Sequence, residues 1–101
     1  MPAPDLSLAD DVTSLYVEHS TWLQGWLRRR IGDTFTAADV AQDTFLSLLD
    51  GKTATQEIRE PRPFLATIAN RLLAHRFRRQ LLETAYLEAL VGLPEEFAPS
   101  P

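Results

Sequence analysis

Residues 36–49 read TAADVAQDTFLSLL, and this stretch decides the fold class. Thr36 lies three positions before Asp39, which matches the capping-box pattern of a helix start with aspartate in place of the usual glutamate. The spacing predicts a helix to about Leu49 with an apolar face formed by Ala38, Ala41, Phe45 and Leu48. A second face carries Asp39, Gln42, Asp43 and Leu46. One face is therefore predicted to pack, and the other to meet solvent or a partner.

The segment before this stretch also has helical periodicity. Apolar and aromatic residues recur at spacings of three and four from Leu8 to Ile31, which predicts one amphipathic helix or two. Gly32 and Asp33 end the pattern, since glycine tolerates the left-handed turn after a helix. Residues 1–11 are predicted to be a flexible leader. Trp22 and Trp26 are four apart, and such a pair of aromatics belongs most often to the core.

The chain after residue 49 is predicted to form a loop and then a long helix. Asp50-Gly51 ends the preceding helix, and the polar run 52–60 is typical of a loop. Prolines at 61 and 63 favour a helix start near Arg62. Its predicted buried side consists of Phe64, Leu65, Ile68, Ala69, Leu72, Leu73 and Phe77. The pattern beyond Gln80 permits either continuation through Leu90 or a separate short helix, so we predict an all-α, compact bundle of about four helices.

Composition narrows the class of protein. A chain of 101 residues with 45% hydrophobic content fits one small domain. It contains no cysteine, which excludes disulfides and thiolate metal sites, and we predict neither a cofactor nor a metal. With two histidines far apart in sequence and no glycine-rich phosphate loop, an enzyme is disfavoured. No apolar run approaches the roughly 18 residues of a membrane span, so we predict a cytoplasmic location without direct membrane insertion.

Charge is segregated along the chain, although the net charge is only −4. Residues 61–82 contain no carboxylate and hold Arg62, Arg71, Arg76, Arg78 and Arg79. On the predicted helix, one side about two turns long carries Arg71, His75, Arg78 and Arg79. Guanidinium groups there could contact phosphates and base edges. The alternative is a solvated helix face whose arginines favour the helix dipole.

The acidic side of residues 36–49 has a similar ambiguity. Asp39 and Asp43 near a helix start also favour the dipole, without any partner. An exposed leucine inside a polar rim is typical of a binding surface, and Leu46 occupies that position. Periodicity alone leaves both interpretations open.

The combination of these blocks is more specific. DVAQDTF at residues 39–45, then a polar loop, then PFLATIA at residues 63–69 and an arginine-rich helix resemble region two of the extracytoplasmic-function sigma factors. WLQGWLRRR at residues 22–30 and AYLE at residues 85–88 resemble the iron-starvation subgroup, which controls siderophore uptake. The resemblance covers about residues 12–92. It implies a non-enzymatic helical domain of an alternative sigma factor that initiates transcription, here of iron and siderophore uptake genes.

The resemblance also implies roles for particular residues. Docking onto the clamp helices of the RNA polymerase beta-prime subunit falls to Asp39, Gln42, Asp43 and Leu46. Capture and melting of the minus-ten promoter element on the nontemplate strand falls to Lys52, Arg59, Arg62, Ile68, Arg71, His75, Arg78 and Arg79. The chain departs from the family in two places, because Arg71 replaces a base-contacting asparagine and His75 replaces a frequent aspartate.

The resemblance further implies a domain organisation and a regulator. Residues 12–91 would form the region-two domain and residues 92–101 the start of an interdomain linker, with the second, promoter-reading domain absent. A membrane-spanning sigma regulator would control the protein. The alternative is a free-standing helical DNA-binding or adaptor domain. A helix-turn-helix needs a short turn before its recognition helix, whereas the run 52–60 is long. Since residues 50–61 contain no aromatic ring to stack on a base, we expect the isolated domain to bind DNA weakly and in a salt-sensitive way.

Overall fold

The described structure, a computed structural model, comprises residues 6–50 and 58–93. Three helices follow one another in these ranges: α1 spans Leu6–Ile31, α2 spans Thr34–Leu48 and α3 spans Pro61–Val91. The all-α prediction is confirmed. The predicted number of about four helices is wrong, because the described part of the chain holds three.

Helix α1 begins earlier than the sequence pattern indicated. It starts at Leu6, so the prediction of a flexible leader is wrong for residues 6–11, and residues 1–5 lie outside the described ranges. Leu8 packs against the core and Val12 is part of it, which extends the apolar stripe toward the first turn. The helix passes through Gly25 without a break, so this segment forms one helix.

The junction between α1 and α2 is tight. Gly32 has a φ of 79°, and its amide donates to the Arg28 carbonyl at 2.8 Å, which ends α1 as predicted. Asp33 caps α2 by accepting from the Phe35 amide at 3.1 Å and from the Thr36 hydroxyl. The predicted capping box at Thr36 is therefore wrong, because the cap is Asp33 and Thr36 is its donor. The Thr36 hydroxyl, assisted by the Phe35 amide, holds the pKa of Asp33 below its ordinary value of 3.8.

Gly32 provides a test of this junction. We expect Gly32→Ala to lower the free energy of unfolding by about 1–2 kcal/mol, because an alanine at this φ brings its Cβ close to the backbone carbonyl. Contacts with other parts of the protein add nothing to this cost, since no atom outside residues 31–33 lies within 4 Å of an added Cβ. Gly92→Ala is the control, because Gly92 has a φ of −77°. Urea unfolding of both variants checks this, and equal stability of the two would refute the proposed backbone cost.

The core lies between all three helices but draws most of its residues from α1 and α2. Leu23 and Leu27 of α1 are buried, as are six residues of α2: Ala37, Val40, Ala41, Thr44, Phe45 and Leu48. Helix α3 adds only Leu65 and Ala69 among the described buried residues. Trp22 and Trp26, predicted to belong to the core, are half-buried and pack against it.

Helix α3 is continuous over 31 residues, so the chain beyond Gln80 continues the same helix and does not form a separate short one. Leucine, alanine, arginine and glutamate favour helix, and the next glycine after residue 61 is Gly92. Phe77, predicted to be buried, is 60% exposed because α1 and α2 contact mainly the first half of α3. The second half has several other exposed apolar side chains, namely Leu81, Leu82, Tyr86, Leu87 and Val91. Within residues 6–50 and 58–93, none of the helices combines the length and apolarity required to cross a membrane.

Candidate functional site

The acidic face, defined as Asp39, Gln42, Asp43 and Leu46, points away from the core. All four side chains are exposed, and Leu46 is 54% exposed. Val40, Ala41 and Phe45, on the opposite side of α2, are buried. The division of α2 into a packing face and an outward face is confirmed. Ala38, predicted to lie on the packing face, is only half-buried.

A shallow groove of about 300 Å³ adjoins the acidic face where α2 packs on α1. Gln42 and Leu46 border it, together with Tyr16 and Leu49. The Tyr16 ring meets Phe45 edge-on, with 5.3 Å between ring centroids. The sequence pattern did not identify Tyr16 and Leu49 as residues of this surface. Leu49 lies three positions after Leu46 and was detectable from spacing, whereas Tyr16 is brought there by the fold.

An ion pair joins the acidic face to α3. An oxygen of Asp39 lies 3.4 Å from a guanidinium nitrogen of Arg76. Arg76 is half-buried and turned toward α2, which distinguishes it from the exposed arginines of the same helix. Asp43 makes no ion pair within 4 Å among the described residues. Asp43 is therefore the carboxylate of this face that remains available to an outside cation.

The arginine face, defined as Arg71, His75, Arg78 and Arg79, lies along one side of α3. All four side chains are exposed, as the sequence predicts. His75 and Arg79 border a groove of about 420 Å³ between α2 and α3, with Asp43 on its other wall. The acidic face and the arginine face therefore meet along a common groove. Local spacing could not reveal this neighbourhood, because the two helices are joined by residues 49–60.

The remaining predicted DNA-binding residues have different surroundings. Ile68 is half-buried, packs against the core and borders a groove with Arg71. Arg59 is exposed in the segment before α3. Lys52 lies outside the described residues. Of the predicted DNA-binding residues, the structure thus brings together the four of the arginine face on α3, and it places Ile68 at the edge of the core.

Arg62 belongs to a cluster that periodicity did not predict. Its guanidinium carbon lies 5.0 Å from the centroid of the Trp22 ring, and the guanidinium carbon of Arg30 lies 4.7 Å from that of Trp26. The two indoles stack with centroids 6.2 Å apart and an interplanar angle of 25°. We call Arg30, Trp26, Trp22 and Arg62 the tryptophan–arginine ladder. It joins the end of α1 to the first turn of α3.

The sequence that forms these helices matches a known family. Residues 15–81 match the sigma-70 region 2 model, so the chain belongs to the sigma-70 region 2 family. It is 51% identical to the ferric citrate uptake sigma factor FecI of Escherichia coli (strain K12) over 88 residues, which cover 87% of this chain and 50% of that relative. The chain thus spans about half the length of that relative.

These matches confirm the predicted sigma-factor family and the likeness to its iron-starvation subgroup. No solved structure matches the chain.

Proposed function

We propose that this chain is the domain of an alternative sigma factor that docks onto core RNA polymerase and recognises and melts the minus-ten promoter element. The observation that carries the proposal is the pair of outward faces, one acidic on α2 and one cationic on α3, that meet along one groove. A protein and a nucleic acid can then be held side by side. The name of the relative, a ferric citrate uptake sigma factor, supports iron uptake genes as the targets.

Docking onto the beta-prime clamp helices is assigned to the acidic face. Asp43 supplies a carboxylate without an ion-pair partner among the described residues, and Leu46 supplies an apolar contact within a polar rim. The adjoining groove, with Tyr16 and Leu49 at its edge, offers apolar area for a helix side chain. This arrangement combines electrostatic orientation with a small desolvated centre.

Promoter contact is assigned to the arginine face. Arginine forks suit phosphate oxygens and can also read base edges, and the exposure of Arg71, Arg78 and Arg79 supports this assignment. The nontemplate strand of the minus-ten element is the proposed ligand. The protein would act in the cytoplasm, where a membrane-spanning sigma regulator would control it.

The docking assignment is tested by Asp43→Arg in a pull-down with the isolated beta-prime clamp helices. We expect the affinity to fall at least about tenfold, since charge reversal replaces an attraction with a repulsion. Titration with labelled clamp helices gives the dissociation constant.

Glu83→Arg is the matched control, because Glu83 lines the same groove as Asp43 but belongs to α3. Both variants make the same charge change near Arg76 and Arg79. Thermal unfolding shows that each variant is folded. Equal capture of wild type and a folded Asp43→Arg would exclude the docking role of this face.

A further inference from the structure

The tryptophan–arginine ladder leaves the cationic edges of Arg30 and Arg62 unpaired. Both arginines are exposed, and neither makes an ion pair within 4 Å among the described residues. Each guanidinium instead lies over one indole of a stacked pair. Charges held in place without a carboxylate are available to an anion from outside.

The ladder fits phosphate better than it fits a base. Each guanidinium lies over one face of its indole, so that face is closed to a stacking base. Stacking uses the flat face of a guanidinium and leaves the in-plane N–H groups, which form the fork that matches phosphate oxygens. Because the indole already restricts the side chain, less entropy is lost on binding.

The position of the ladder relates it to DNA. Arg62 lies in the first turn of α3, one turn before Leu65, and is itself among the residues predicted to capture the promoter strand. Arg30 lies in the last turn of α1. Because the ladder connects Arg62 to Arg30, a strand that contacts Arg62 can continue along the ladder toward Arg30.

We infer that Arg30 and Arg62 bind phosphates of an unpaired promoter strand, with Trp26 and Trp22 as the residues that position them. This inference rests on the proposed function and extends its DNA contacts from α3 onto α1. The contact is independent of base sequence, because phosphates carry no sequence information.

The test uses the full chain and a fluorescein-labelled oligothymidylate of twelve nucleotides. Anisotropy gives the dissociation constant between about 20 and 150 mM salt, and each lost phosphate contact lowers the salt slope by about 0.7 for a single strand. We expect this decrease for Arg30→Ala and for Arg62→Ala. Binding should also change the tryptophan emission, since both tryptophans of the chain belong to the ladder.

Two control variants make the result decisive. Arg28→Ala removes an equal charge two residues before Arg30, at a side chain for which no ring contact is found in the described structure, and should keep the wild-type slope. Unchanged slopes for Arg30→Ala and Arg62→Ala, or an equal loss for Arg28→Ala, would overturn the inference. Arg78→Ala on the arginine face separates the two proposals. If it alone lowers the slope, the ladder has no DNA contact while the proposed function stands.

Discussion

Leu65→Ala is expected to lower the free energy of unfolding by about 2–5 kcal/mol, which is a large share of the stability of a small domain. Leu65 is 0% exposed, and with Ala69 it supplies all the buried side chains of α3 in the described structure. Truncation removes its apolar contacts with α1 and α2 and leaves a cavity. Helix α3 is the element that should detach first, because its other apolar contacts with the core come from side chains that are only partly buried, namely Phe64, Ile68, Leu72 and Leu73.

The matched control for this variant is Leu82→Ala on the same helix. Leu82 is 66% exposed, so the same chemical change should alter the free energy of unfolding by less than about 0.5 kcal/mol. Urea unfolding followed by circular dichroism measures both variants. A similar loss for the two would show that α3 is not anchored through its first half.

Combined replacement of Arg71, Arg78 and Arg79 by glutamine is expected to weaken promoter opening by the reconstituted holoenzyme roughly hundredfold. This magnitude follows if each lost contact costs about 1 kcal/mol. The three side chains are exposed and contribute nothing to the described core, so stability should change little. Permanganate reactivity of unpaired thymines in the minus-ten element measures the opening.

The single variants Arg78→Gln and Arg76→Gln distinguish DNA contact from loss of charge alone. Both remove one guanidinium from the same turn of α3, but Arg76 is turned toward α2 and pairs with Asp39. Arg78→Gln should weaken opening, and Arg76→Gln should leave it near wild type. An equal effect of the two would mean that net charge, and not the arginine face, determines binding.

Local spacing was sufficient for the features that one helix determines by itself. The outward position of Asp39, Gln42, Asp43 and Leu46 follows from the 3.6-residue period, since their buried neighbours occupy the opposite side of α2. The same holds for the exposure of Arg71, His75, Arg78 and Arg79 on α3. The family motifs then connected these faces with a function, and the sigma-70 region 2 match confirmed the family.

Features that depend on a second helix were not accessible from spacing. The Asp39–Arg76 pair joins residues 37 positions apart, and the Arg62–Trp22 contact likewise joins separate helices. Phe77 fits the apolar stripe of α3, yet its exposure depends on where the neighbouring helices end. The cap of α2 was misplaced for a different reason. Asp33 and Thr36 are both suitable cap residues, and only the structure shows which one accepts the hydrogen bond from the backbone amide.

Because α3 is one uninterrupted helix, the positions of its residues along and around its axis are fixed relative to one another. Arg79 and Val91 lie on the same helix, so their separation along the axis is about 18 Å at 1.5 Å per residue. Each inserted residue would advance Gly92 by about 1.5 Å and rotate it by about 100° about the axis. The number of helical residues after Arg79 therefore sets the distance from the bound strand, and the rotation about the axis, at which the chain leaves α3 at Gly92.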